Sequence, residues 1–97
     1  MARIIITGAS DGIGAEMARQ LAQTHQSRLQ LTLAARNAGN LQAVAEQCRA
    51  LGAQVLTVPT DVSEEAQCRA LIDAAVQQFG GLDALINNAG VSAHALF

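Results

Sequence analysis

The spacing of apolar residues along this chain switches repeatedly between the period of a strand and that of a helix. Residues 3–7, RIIIT, form a β-branched run stopped by glycine, the pattern of a buried strand ended by a turn. Behind the glycines, Ile13, Met17 and Leu21 recur every four residues with Ala18 and Ala22 beside them, which predicts one apolar face of a helix. Leu29 to Ala35, LQLTLAA, predicts a second strand that stops at Arg36-Asn37. Leu41, Val44, Ala45, Cys48 and Leu51 keep helical spacing up to a stop at Gly52. Gln54 to Pro59 reads as a third strand. Ser63 is then placed as the N-cap of a third helix, with Glu64 and Glu65 in its first turn. Its stripe is Cys68, Leu71, Ile72, Ala75, Val76 and Phe79, closed by Gly80-Gly81. Leu82 to Asn88, LDALINN, predicts a fourth strand that ends at Ala89-Gly90; in a four-stranded sheet it would be an edge, although its composition reads as that of a strand buried between neighbours.

Strict strand–helix alternation with short connections builds a parallel sheet with helices on its faces. The expected class is α/β, and right-handed crossovers favour a doubly wound sheet of about four strands in the order 3-2-1-4. Residues 1–97 are read as one domain. The sequence is 51% hydrophobic and 14% charged, a globular profile. A net charge of −2, with the basic residues scattered, excludes nucleic acid and anionic membrane as partners. No apolar run approaches membrane-spanning length and the opening residues do not resemble a signal peptide, so a cytoplasmic location is expected. Cys48 and Cys68 lie on apolar stripes and read as small core hydrophobes rather than metal ligands or reactive thiols.

The candidate chemistry begins at Thr7-Gly8-Ala9-Ser10-Asp11-Gly12-Ile13-Gly14, between the first strand and the first helix. Glycines there permit positive φ and let a ligand rest on bare backbone, while the free N–H groups of the following helix point at it. A pyrophosphate suits such a loop. Close helix–strand packing alone also uses glycine turns, so the other segments decide.

Together with Asn87-Asn88-Ala89-Gly90, this stretch resembles the short-chain dehydrogenase/reductase family over essentially the whole chain. The resemblance implies a Rossmann-like sheet, here incomplete, and a nicotinamide dinucleotide. It implies that Gly8, Ser10, Asp11, Gly12, Ile13 and Gly14 hold the pyrophosphate, that Asp61 and Val62 meet the adenine, and that Asn88, Ala89 and Gly90 lie beside the nicotinamide ribose. The second strand ends Ala34-Ala35-Arg36, without the acid that holds a ribose 2′-hydroxyl in NAD-preferring Rossmann proteins. Because a guanidinium can fork onto phosphate oxygens, Arg36 favours NADP(H) over NAD(H). Asp11 is a counterweight, since many NADP-using relatives carry a basic residue there; it is read as a helix cap.

The family's chemistry is hydride transfer to a carbonyl or from an alcohol, with a tyrosine as general acid/base, a lysine that lowers its pKa, and a serine that polarises the substrate oxygen. This sequence contains no tyrosine, and all six basic residues are arginine. Ser92 comes too early to be the family's serine. His25 is expected at the end of the first helix, and neither it nor His94 is assigned a role. The expected function is therefore the cofactor-binding half of such an oxidoreductase, inactive alone. A small carbonyl or alcohol substrate enters only with the missing half. The alternative is a non-catalytic NADP(H)- or adenine-nucleotide-binding or interaction module. A methyltransferase is disfavoured because its adenosyl ligand wants an acid where Ala35 and Arg36 stand. An exposed fourth strand also predicts self-association.

Overall fold

A computed structural model of the chain describes residues 1–88. Its elements run β1 (Ala2–Thr7), α1 (Gly12–His25), β2 (Leu29–Ala35), α2 (Ala38–Ala50), β3 (Gln54–Pro59), α3 (Glu65–Phe79) and β4 (Ala84–Asn87), with a 3-10 turn at Gln26–Arg28. The strands form one sheet in the order β3-β2-β1-β4, every pair parallel. This is the α/β class and strand order expected from the alternation, an incomplete Rossmann fold. Ala89, Gly90, Ser92 and His94 lie outside the described residues.

Side-chain alternation divides the strands between two unequal faces. Ile6 of β1 and Leu29, Leu31 and Leu33 of β2 pack beneath α1 and α2, against Ala15, Ala18, Ala22, Leu41, Val44, Ala45 and Cys48. The opposite face buries less: Ile5 and Ala34 meet Leu71 and Ala75 of α3. A parallel sheet covered by helices on both faces needs such double-sided apolar strands.

Several sequence expectations are corrected. The buried face of α1 is Gly14, Ala15, Ala18 and Ala22, whereas Ile13 is 72% exposed and Met17 and Leu21 are half-buried. Small residues face the sheet because the helix backbone lies close to it, so the large side chains fall to the flank. On α3 only Leu71 and Ala75 are buried, and Val76 is 42% exposed, because a single helix covers that face.

Helix α3 also begins later than its polar residues suggest. Ser63 does not cap it: the Ser63 N–H and hydroxyl both donate to Asp61 Oδ1, at 3.0 and 2.7 Å. Glu64 takes the cap position without a side-chain bond, leaving Glu65 in the first turn. Asp11 likewise occupies the N-cap of α1 in extended backbone, yet its side chain makes no capping bond.

The last strand is shorter than expected; it lies at the sheet's edge, as the 3-2-1-4 order implies, and is half-buried there although its composition reads as that of an enclosed strand. Asp83 is held outside it by Arg3. The carboxylate accepts from the Arg3 backbone N–H at 2.8 Å and from its Nε at 3.1 Å and Nη2 at 3.2 Å, while the Asp83 N–H donates to the Arg3 carbonyl at 2.8 Å.

Candidate functional site

All three strand-to-helix loops open at the carboxyl rim of the sheet, where β1 meets β4 on one side and β2 on the other. The crossover to opposite sides of β1 leaves a crevice there. It is a cleft of about 620 Å³. The first loop contributes Gly8, Ser10 and Asp11, the second Ala35, Arg36 and Asn37, and the third Thr60, Asp61, Val62 and Ser63; Asn88 closes the β4 side.

The first loop is shaped by its glycines. Gly8 and Gly12 have φ of 64° and 57°, in the region that side chains disfavour. A Cβ at Gly12 would meet nothing among the described residues within 4 Å, so they leave the backbone there bare. Gly14 differs, because it is buried and a Cβ there would strike the Gly8 carbonyl and come within 2.8 Å of Asn88 Nδ2. Its missing side chain therefore serves close packing of α1 beneath the loop. The opening amides of α1, Gly12 to Gly14, have no carbonyl one turn back within the helix, and the first helical bond runs from the Ala15 N–H to the Asp11 carbonyl at 3.2 Å.

Hydrogen bonds fix the frame around this loop. The Ala9 N–H donates to the Ala34 carbonyl at 3.1 Å and the Thr60 N–H to the Ala35 carbonyl at 2.9 Å, which ties the loops after β1 and β3 to the end of β2. Asn88 Nδ2 donates to the Gly8 carbonyl at 3.1 Å. The fully buried Thr7 hydroxyl donates to Asn87 Oδ1 at 2.9 Å. Asn37 caps α2 by accepting from the Asn40 N–H at 3.0 Å, and so fixes the backbone just after Arg36.

The charges at the rim are one cation and two anions. Arg3, Arg19, Arg49 and Arg69 each pair with a carboxylate, but Arg36 has no ion pair among the described residues. The two Ser63 bonds hold the Asp61 carboxyl below its usual range, and the positive Arg36 adds to the effect. Asp61 is therefore anionic at neutral pH.

Of the residues expected at the site, Gly8, Ser10, Asp11, Arg36, Asp61, Val62 and Asn88 converge on the cleft. Gly12 and Ile13 open α1, Gly14 packs beneath the loop, and Ala89 and Gly90 are outside the described residues. Sequence reasoning gave no site role to Thr7, Asn37, Thr60, Ser63 or Asn87, although Thr7 and Asn87 lie within the quoted motifs and Ser63 was read as a cap. Asn37 carried a local signal for the role it takes, an Asn three residues before Asn40 at the start of an apolar period. The others depend on partners that folding brings in.

The family model for short chain dehydrogenase matches residues 2–97. The chain belongs to the short-chain dehydrogenase family. Among its relatives, an 11-beta-hydroxysteroid dehydrogenase of Pinus massoniana is 44% identical over 95 residues, 97% of this chain and 26% of the relative. An actinorhodin polyketide ketoreductase solved with NADPH superposes with a TM-score of 0.80 at 30% identity, over 98% of this chain and 38% of that one. An NADH-dependent reductase complexed with NAD gives 0.77 at 30% identity, over 89% and 35%. The chain thus spans roughly a quarter to two-fifths of the length of these short-chain dehydrogenase relatives. No helix among its described residues is long and apolar enough to cross a membrane.

Proposed function

We propose that the cleft binds NADP(H) and that the chain is the cofactor-holding portion of an oxidoreductase acting on a carbonyl or alcohol. The observation that carries the preference for NADP(H) is Arg36: a cation without an ion-pair partner among the described residues, at the end of a strand that offers no acid to a ribose 2′-hydroxyl. A 2′-phosphate supplies the oxygens its guanidinium can fork onto.

In this reading the pyrophosphate lies over Gly8, Ser10 and the α1 amides, from Gly12 through Ile13 to Gly14, where the helix dipole favours an anion. Asp61 and Val62 face the adenine, and Asn88, with Ala89 and Gly90, borders the nicotinamide ribose. The bare backbone at Gly12 and the positive φ of Gly8 and Gly12 fit a group that must approach backbone closely. Once bound, the cofactor supplies hydride chemistry. This chain's residues hold and orient it, but a sequence without tyrosine or lysine does not provide the family's acid/base pair, and the 97 residues alone are expected to show no turnover. A cytoplasmic location belongs to the same proposal, resting on the free thiols Cys48 and Cys68.

Calorimetric titration with NADP+ and NAD+ tests the reading. The expected result is binding of both with NADP+ tighter, and Arg36→Ala should weaken NADP+ by about 1 to 3 kcal/mol while leaving NAD+ nearly unchanged. No heat with either dinucleotide removes the nucleotide assignment, and a preference for NAD+ removes the role given to Arg36.

A second reading, a module that associates through its sheet edge, draws on the contrast between the two outer strands. The Val55 carbonyl of β3 accepts from Arg49 Nη2 at 2.9 Å, and that strand ends in Pro59, whereas β4 leaves Leu85 and Ile86 half-buried at the opposite edge. Exposed edges pair readily. Sedimentation as a monomer at high concentration would remove this reading.

A further inference from the structure

The loop after β3 is held by more bonds than its length requires. The Asp61 N–H donates to Gln67 Oε1 of α3 at 2.8 Å. The Ser63 N–H and hydroxyl occupy Asp61 Oδ1, the Glu64 N–H donates to the Asp61 carbonyl at 3.0 Å, and Cys68 Sγ donates to the Val62 carbonyl at 3.3 Å. Two polar groups of the turn are left without a protein partner among the described residues: Asp61 Oδ2, an acceptor, and the Val62 N–H, a donor. Both residues line the cleft.

We propose that Ser63 and Gln67 are positioning residues that make the cleft selective for adenine over a 6-oxopurine. The inference rests on the reading of the cleft as a nucleotide site. An adenine edge offers an amine donor beside the N1 acceptor, which complements a carboxylate oxygen beside an amide N–H. Hypoxanthine and guanine offer a carbonyl beside an N1–H, the reverse order, and would set oxygen against oxygen at Asp61. The discrimination holds only while the order of the protein groups is fixed. Ser63 fixes it by engaging Oδ1, which prevents the carboxylate from turning to satisfy a donor elsewhere. Gln67 fixes it by anchoring the Asp61 amide, which sets the plane of the Asp61–Val62 turn. A site built to hydrogen-bond one group rejects an analogue that leaves its polar atoms unpaired.

The test titrates the full chain with NADP+ and with its analogue carrying hypoxanthine in place of adenine. The unaltered chain should prefer the adenine form by about tenfold or more, and Ser63→Ala and Gln67→Leu should each shrink that ratio to within about threefold. Ser63→Thr and Gln67→Glu, which keep the hydroxyl donor and the acceptor oxygen, should restore it. Both positions are exposed, so the variants should retain the thermal midpoint of the parent. A ratio unchanged in Ser63→Ala and Gln67→Leu overturns the proposal while leaving the nucleotide site intact, as does equal binding of the two dinucleotides by the unaltered chain. Failure of the unaltered chain to bind either dinucleotide removes the nucleotide site and the proposal with it.

Discussion

The seam between β1 and β4 is fastened at its two ends by different chemistry. At the amino end, a partly exposed Arg3 grips Asp83 through a charged fork and two bonds involving backbone. At the carboxyl end, neutral groups do the work: Thr7 to Asn87 and Asn88 to the Gly8 carbonyl. Exposed ion pairs are screened by water and contribute little, so the amino-end fork chiefly sets where pairing begins. The buried neutral bonds cost more to lose, and they sit beneath the loop that borders the cleft. The functional rim therefore depends on interior hydrogen bonding, and the opposite rim on surface charge.

The severest way to break the carboxyl-end fastening is Gly14→Ala, which drives a methyl group into the Gly8 carbonyl and against Asn88. Backbone has little room to yield there, so the expected loss is about 3 kcal/mol or more in urea unfolding, together with loss of dinucleotide binding. Thr7→Val removes the donor to Asn87 Oδ1 at a fully buried position and should cost about 1 to 3 kcal/mol by the same measurement.

Thr32 sharpens that prediction. It is 1% exposed on the neighbouring strand β2, and its hydroxyl has no hydrogen-bond partner among the described residues. The same change, Thr32→Val, should raise stability by about 1 kcal/mol because it removes an unsatisfied buried polar group. Opposite signs for one substitution at two buried threonines would assign the Thr7 loss to its hydrogen bond.

The smallest effect belongs to the amino end. The Arg3 side-chain bond, then the Arg3 backbone N–H, holds the Asp83 carboxyl below its ordinary range. A depressed folded-state pKa contributes stability that is present above the unfolded value, near 4, and is lost as pH falls through the folded value. Asp83→Asn should therefore flatten the fall in thermal midpoint as pH drops below about 4, and change neutral-pH stability little. A parallel acid slope in parent and variant would show that the fork does not report on folding.

How legible the molecule was in its sequence follows the distance between partners. Strands β2 and β3 have the bounds their spacing predicts, because each is punctuated locally, by Arg36-Asn37 and by Gly52 and Pro59. The cleft residues Gly8, Asp61 and Asn88 were named by motifs that resemble the short-chain dehydrogenase/reductase family, and periodicity added only that each follows a strand whose carboxyl end it marks. The face of α1 was not legible, since Ile13, Met17 and Leu21 keep helical spacing as well as the alanines do, and the choice between them is made by how closely the sheet approaches. Ser63 was read as a cap because its helix was near, but Asp61 two residues back outcompetes it.

What the residues determined by themselves were the properties fixed by neighbours in the chain: strand–helix alternation, a glycine loop capable of positive φ, and a chemistry without phenol or ammonium. Tertiary structure alone decided which groups are satisfied and which remain free. Arg3 and Asp83, like Thr7 and Asn87, lie eighty positions apart, and no local preference links them. They meet because right-handed crossovers carry β4 back beside β1, while the pairing of β2 with β3 brings Arg36, Asp61 and Val62 to one rim, where the Arg36 guanidinium has no ion pair and Asp61 Oδ2 and the Val62 amide no hydrogen bond among the described residues.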